Sequence, residues 1–167
     1  IEETAVSLGA DVPMCLASRP LFAAGVGEEI RPLGNMPALA VVLANPRKHV
    51  STPAVFSALA QKDNPPIPLA DTDSLATAAD WAAWLGEYSR NDLQAPSARL
   101  AQEIDACLAA LAATSPLLAR MSGSGATCFG LYDCMDAARD AATRLLQAHP
   151  EWWITATLTG PTPEEDT

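Results

Sequence analysis

Two short segments carry residue types that could do chemistry. At 121–127 the sequence runs Met-Ser-Gly-Ser-Gly-Ala-Thr. Glycines alternating with serines ahead of a strand let successive backbone N–H groups turn toward one concavity. Such a nest suits an anion, with the hydroxyls of Ser122 and Ser124 as further donors. The same residues also suit a tight turn at a strand entry, and they include neither the lysine of a Walker loop nor a dinucleotide fingerprint. At 8–13 the run Leu-Gly-Ala-Asp-Val-Pro sets one carboxylate, Asp11, in a short turn. An aspartate there could accept a proton from a substrate hydroxyl, or it could cap the turn and do nothing more.

Several elements must position these segments. Residues 1–8 read as a helix end closed by Gly9, and 12–16 as an extended segment leaving a loop. Leu21 to Leu33 predicts a strand interrupted at Gly25 and Gly27 by a bulge or a close backbone approach. The unbroken apolar run Ala38–Ala44 predicts a buried strand. Ser51-Thr52-Pro53 is a helix start, a hydroxyl N-cap followed by proline at the first helical position. Val55, Phe56 and Leu59 then share one apolar face, which by itself makes Phe56 a core residue. A loop broken by proline and asparagine covers 63–73. A helix over 75–88 follows, with Trp81, Trp84 and Tyr88 on one side as packing residues. Next is an amphipathic helix over 97–113 through Leu100, Ile104, Leu108 and Leu111, with Asn91-Asp92 as its cap. Beyond the glycine–serine loop come a strand over 127–132, a helix from an Asp136 cap to His149, and an alternating strand over 153–159. The order gives an α+β fold with helices packed on a sheet.

The 167 residues include 10 Lys+Arg against 20 Asp+Glu, a net charge of −10. Such a chain lacks the cationic surplus that a general nucleic-acid binder needs to neutralise phosphates. A nucleotide substrate is not excluded, because a few local groups can hold a small phosphate. Hydrophobic residues at 49% provide for a core and exclude a disordered chain. Cys15, Cys107, Cys128 and Cys134 have neither the density of a disulfide framework nor zinc-ligand spacing, which favours reduced thiols in the cytoplasm. His49 and His149 have no partners at metal spacing, and His149 suits a helix C-terminus as a favourable charge. The N-terminal residues do not read as a signal peptide. The longest apolar run, 37–44, is far below the roughly 20 residues of a membrane helix. No membrane or nucleic-acid partner is expected.

Taken together, LGADVPMCL at 8–16, AAGVGEEIRPL at 23–33, STPAVF at 51–56, SRNDL at 89–93 and MSGSGATCFGL at 121–131 resemble the GHMP kinase superfamily. MSGSGATCFGL is similar to the third motif of that superfamily. LGADVP and the Gly-Val-Gly-Glu stretch, joined to Thr-Pro-x-x-Phe, narrow the resemblance to the 4-diphosphocytidyl-2-C-methyl-D-erythritol kinase family, in its C-terminal portion. The resemblance implies a GHMP C-terminal domain with a ferredoxin-like sheet over 35–160. Residues 1–34 would be the end of an N-terminal catalytic domain, and 161–167 an acidic tail. It implies ATP and Mg2+ as cofactors and a cytidine-diphosphate substrate phosphorylated on its 2-hydroxyl. Asp11 would activate that hydroxyl. Thr52 and Phe56 would contact the substrate, Phe56 by stacking on cytosine, and Val26 would form a small apolar wall. Ser122, Gly123, Ser124, Gly125 and Ala126 would lie by the phosphates. No residue is assigned to a metal.

The superfamily's glycine–serine-rich ATP loop and the family's N-terminal catalytic lysine are not among these residues. Both are expected in a half of the protein preceding Ile1, which would be the partner of this portion, and the 167 residues alone are expected to be inactive. Another GHMP small-molecule kinase, of mevalonate or homoserine type, and a non-catalytic ferredoxin-like ligand-binding module are the alternatives.

Overall fold

The computed structural model describes residues 12–160 apart from 18, 26, 28 and 35. The helix end expected over 1–8, Gly9, Asp11, Val26 and the acidic tail at 161–167 lie outside the described residues.

The central strand β3 (Ala40–Asn45) decides the architecture. It pairs antiparallel with β5 (Cys128–Tyr132) on one side and β6 (Trp153–Leu158) on the other, and β4 (Leu118–Met121) pairs antiparallel with β5. The sheet order is β4-β5-β3-β6. Four α-helices and a short 3-10 turn at 72–74 connect β3 to β4, and one α-helix connects β5 to β6, so this antiparallel order is the expected ferredoxin-like arrangement. Successive side chains of a strand face opposite sides. Ala40, Val42 and Ala44 therefore enter one core with Ile104, Cys107, Leu111, Ala138 and Leu145. Val41 enters a second core with Leu75, Trp81, Ala82 and Leu131. Both faces of β3 are covered, which is why its sequence is apolar without alternation.

The helices carry the layers. Helix α3 (Ala78–Tyr88) begins at a capping box in which Thr77 Oγ1 accepts from the Asp80 N–H while the Asp80 carboxylate accepts from the Thr77 N–H. It covers the second core with Trp81, and Trp81, Trp84 and Tyr88 form a ladder of ring contacts, as their spacing predicts. Helices α4 (Gln94–Leu100), α5 (Glu103–Ala112) and α6 (Met135–Ala148) line the first core.

Several expectations about the elements are corrected. Residues 12–17 form helix α1 rather than an extended segment, with Pro13 at its second position, where no intrahelical donor is needed. The stretch 21–33 is not one bulged strand but a hairpin of β1 (Leu21–Ala24) and β2 (Glu29–Pro32). Gly25 (φ 68°) and Gly27 (φ 99°) take the left-handed conformations that reverse the chain. The helix expected over 97–113 is two helices broken at Ala101, whose φ of −146° and ψ of 96° are extended, and Leu100 is 52% exposed instead of packing. The residues leading into the glycine–serine loop, 119–121, to which the sequence assigns no element, belong to strand β4. The cap of α6 is Cys134, while Asp136 sits in the first turn paired with Arg139.

Candidate functional site

The loop joining β4 to β5 is fixed from behind. Its base closes through the Ser122 N–H to the Thr127 carbonyl at 2.9 Å, and the Gly125 N–H reaches the Ser122 carbonyl at 3.0 Å. Gly125 holds φ +91°, and a Cβ there would stand 2.8 Å from Met121 Sδ and 3.2 Å from Ile104 Cδ1. Glycine is therefore required at 125 for conformation and for space. Gly123, at φ +55°, has open space around it.

The turn leading into α4 supplies the clamp. Asn91 Nδ2 donates to the carbonyls of Met121 (2.8 Å) and Gly123 (2.9 Å), while its Oδ1 accepts from the Leu93 N–H. Gln94 Oε1 accepts from the Met121 N–H at 3.0 Å, and the fully buried Ser97 donates to the Ser124 carbonyl at 2.8 Å. One segment thus binds four backbone groups of the loop and its entry. The sequence expectation of Asn91-Asp92 as the helix cap is corrected: the N-cap of α4 is Leu93, and Asn91 lies in the turn before it, where its amide reaches the loop.

Helix α2 (Thr52–Ser57) approaches from the other side. Its N-cap is Ser51, which makes no side-chain cap bond, and Thr52 Oγ1 instead lies 2.8 Å from Ser124 Oγ. Two hydroxyls in contact hold two protons and use one between them, so one O–H stays free for a ligand oxygen. Phe56, four residues on and therefore on the same helical face as Thr52, is 52% exposed. This corrects the core placement that its apolar neighbours imply; Val55 alone of that face is fully buried. The end of α2 is tied to α4 by Arg99 Nη2 donating to the Ala58 carbonyl.

Asn45, at the end of β3, joins the connection to α2 to the same loop. Its Nδ2 donates to Thr127 Oγ1 at 2.8 Å, and its Oδ1 accepts from the N–H of Arg47, which holds φ 56°. Beside it, Lys48 Nζ and Glu103 Oε1 lie 2.8 Å apart; that hydrogen bond raises the lysine pKa and lowers that of the glutamate. Among the described residues, no group of three or more His, Cys, Asp or Glu side chains is placed to hold a metal ion.

The structure brings Thr52 together with Ser122–Ala126 and places Phe56 on the same exposed face, while Asp11 and Val26 lie outside the described residues. A largely apolar groove of about 800 Å³ between the hairpin and α3 is lined by Phe22, Leu33, Trp81 and Trp84; among the described residues, neither Thr52, Phe56 nor any of 122–126 lines it. The arrangement offers neutral donors at the loop, with the exposed ring of Phe56 on the same helical face as Thr52. Such a set fits phosphate oxygens and a planar ring.

Residues 71–151 match the family of GHMP kinase C-terminal domains. The chain carries a GHMP kinase C-terminal domain. Over 155 residues it is 56% identical to 4-diphosphocytidyl-2-C-methyl-D-erythritol kinase of Rhizobium etli, covering 93% of this chain and 50% of that protein. It is 46% identical over 159 residues to the enzyme of that name from Dinoroseobacter shibae, covering 95% of this chain and 55% of that protein. A crystal structure of 4-(cytidine 5'-diphospho)-2C-methyl-D-erythritol kinase superposes with a TM-score of 0.74 at 34% identity, over 96% of this chain and 57% of that one. Homoserine kinase from Cytophaga hutchinsonii, at 15% identity and a TM-score of 0.61, shares the fold. The resemblance drawn from the motifs is borne out, and the chain spans about half the length of the curated relatives it matches. The β4–β5 loop lies within the segment MSGSGATCFGL at 121–131, whose last four residues belong to β5.

Proposed function

We propose that this chain is part of an ATP-dependent kinase that phosphorylates the 2-hydroxyl of 4-diphosphocytidyl-2-C-methyl-D-erythritol, in isoprenoid biosynthesis. The observation that carries the reading is the Thr52–Ser124 hydrogen bond, which joins two motifs 72 residues apart at the mouth of one loop. High identity to kinases of that name supports the choice of substrate.

In this reading Asp11 takes the proton of the attacking hydroxyl at its carboxylate. Phe56 stacks on the cytosine, Val26 walls it, and Thr52 contacts the substrate. Ser122–Ala126 hold phosphate oxygens through N–H and O–H donors, an arrangement suited to a reaction governed by positioning and charge neutralisation. Mg2+ would be held largely by phosphates, because the loop itself offers it no carboxylate. Residues 1–34 complete an N-terminal catalytic domain, 35–160 form the GHMP domain and 161–167 an acidic tail. The ATP loop and catalytic lysine belong to the remaining half. The compartment is the cytoplasm, which suits four free cysteines; among the described residues no helix is long and apolar enough to cross a membrane.

The test uses the full-length enzyme. Asp11→Asn should lower kcat by about 100-fold or more without loss of folding. Phe56→Ala should raise KM for the cytidine substrate while leaving KM for ATP unchanged. Near-normal turnover by the first variant would remove Asp11 from its role. An equal rise in both KM values would remove Phe56 from the cytidine site.

A further inference from the structure

The loop's hydrogen bonds divide its backbone into two sides. On the inner side the carbonyls of Met121 and Gly123 are held by Asn91 and that of Ser124 by Ser97. In a trans peptide the C=O and the following N–H point in opposite directions. The Gly123 carbonyl, fixed toward Asn91, therefore turns the Ser124 N–H outward, to the side where Thr52 Oγ1 meets Ser124 Oγ. The N–H groups of Gly123 and Ser124 take no acceptor among the described residues, whereas those of Ser122 and Gly125 are used within the loop.

We propose that Asn91 is a positioning residue: its side-chain amide holds the loop with the Ser124 N–H directed at a phosphate oxygen of the bound nucleotide or substrate. The proposal rests on the kinase reading of this site. It requires Asn91 as a donor. A residue needed only to start α4 would use its Oδ1 alone, and aspartate or serine would serve equally well. Aspartate in place of Asn91 keeps the shape and the acceptor for Leu93 but sets a carboxylate against two carbonyl oxygens. Serine keeps a capping oxygen and reaches neither carbonyl.

The full-length enzyme carrying Asn91→Asp or Asn91→Ser decides between these roles. Both variants should fold, with kcat reduced about 100-fold through misplacement of the donors and KM for the cytidine substrate little changed. In 15N-labelled full-length protein, a non-hydrolysable ATP analogue or inorganic phosphate should shift the Ser124 amide resonance in the wild type and not in Asn91→Ser. Wild-type kcat in either variant, an equal Ser124 response in wild type and variant, or a wild-type Ser124 that is silent to both probes would overturn the proposal. If Asn91→Asp does not fold, Asn91→Ser carries the test. A wild-type enzyme without ATP-dependent transfer overturns the kinase reading instead, and the Ser124 response to phosphate then decides the positioning role by itself.

Discussion

Asparagine is the residue type that organises this site, because one side chain can donate and accept at once. Asn91 donates to two carbonyls and accepts from Leu93, and Asn45 donates to Thr127 and accepts from Arg47. Each fixes two stretches of chain with one amide. Gly125 is the complementary case, required for what it lacks. Gly125→Ala should destabilise the protein by about 1–3 kcal/mol, since its Cβ meets the buried Met121 Sδ at 2.8 Å and the φ of +91° is strained for an L-residue. Gly123→Ala, in open space at φ +55°, should cost about 1–2 kcal/mol from backbone strain alone. Urea unfolding of the two variants checks the ranking, and a Gly123 variant weaker than the Gly125 variant would contradict the packing argument.

Among the elements, α3 shows how a cap becomes sensitive to pH. Hydrogen bonds from the Thr77 hydroxyl and N–H to the Asp80 carboxylate hold its pKa below the ordinary value of 3.8. A carboxyl with a lowered folded pKa stabilises the fold fully above its unfolded value and loses that contribution as pH falls through the folded one. Thermal melts of Asp80→Asn should therefore show a shallower loss of stability than wild type below pH 3.8, and parallel acid limbs would refute the cap's part in it. Elements of this kind were legible in the sequence wherever one pattern ran unbroken, as in the continuous apolar run of β3, the helical spacing of α3 and the alternation of β6. The hairpin at 21–33 was not, because two positive-φ glycines fit a bulge as readily as a reversal until pairing is known. The break at Ala101 lies in an alanine-rich stretch without a breaker, so packing alone places it. At the site, the glycine–serine loop and the Thr-Pro-x-x-Phe helix were visible as local patterns. The roles of Asn91, Asn45 and Ser97 were not, because Asn91 and Ser97 bind loop carbonyls about thirty residues away and backbone carbonyls leave no mark in the sequence; Asn45 reaches Thr127 82 residues on.

For the molecule as a whole, β3 is paired on both edges and covered on both faces, whereas β1 and β2 form a sheet of two strands. Two-stranded pairs are marginal by themselves, and the slowest openings belong to the most enclosed elements. Hydrogen exchange on the full-length protein should find the amides of 41–44 among the slowest and those of the hairpin among the fastest; comparable rates would mean that the hairpin is stabilised by something beyond its own pairing. Strand β3 also allots its side chains to the two cores by parity, even positions from 40 to 44 to one and Val41 to the other. Changes of chain length are therefore graded by location. Removing one residue inside 40–45 would exchange the occupants of both cores in a single step, while the same loss within the irregular stretch at 60–70 leaves every strand in register. Descendants of this sequence can drift in size between α2 and α3, but they inherit the length of β3 unchanged.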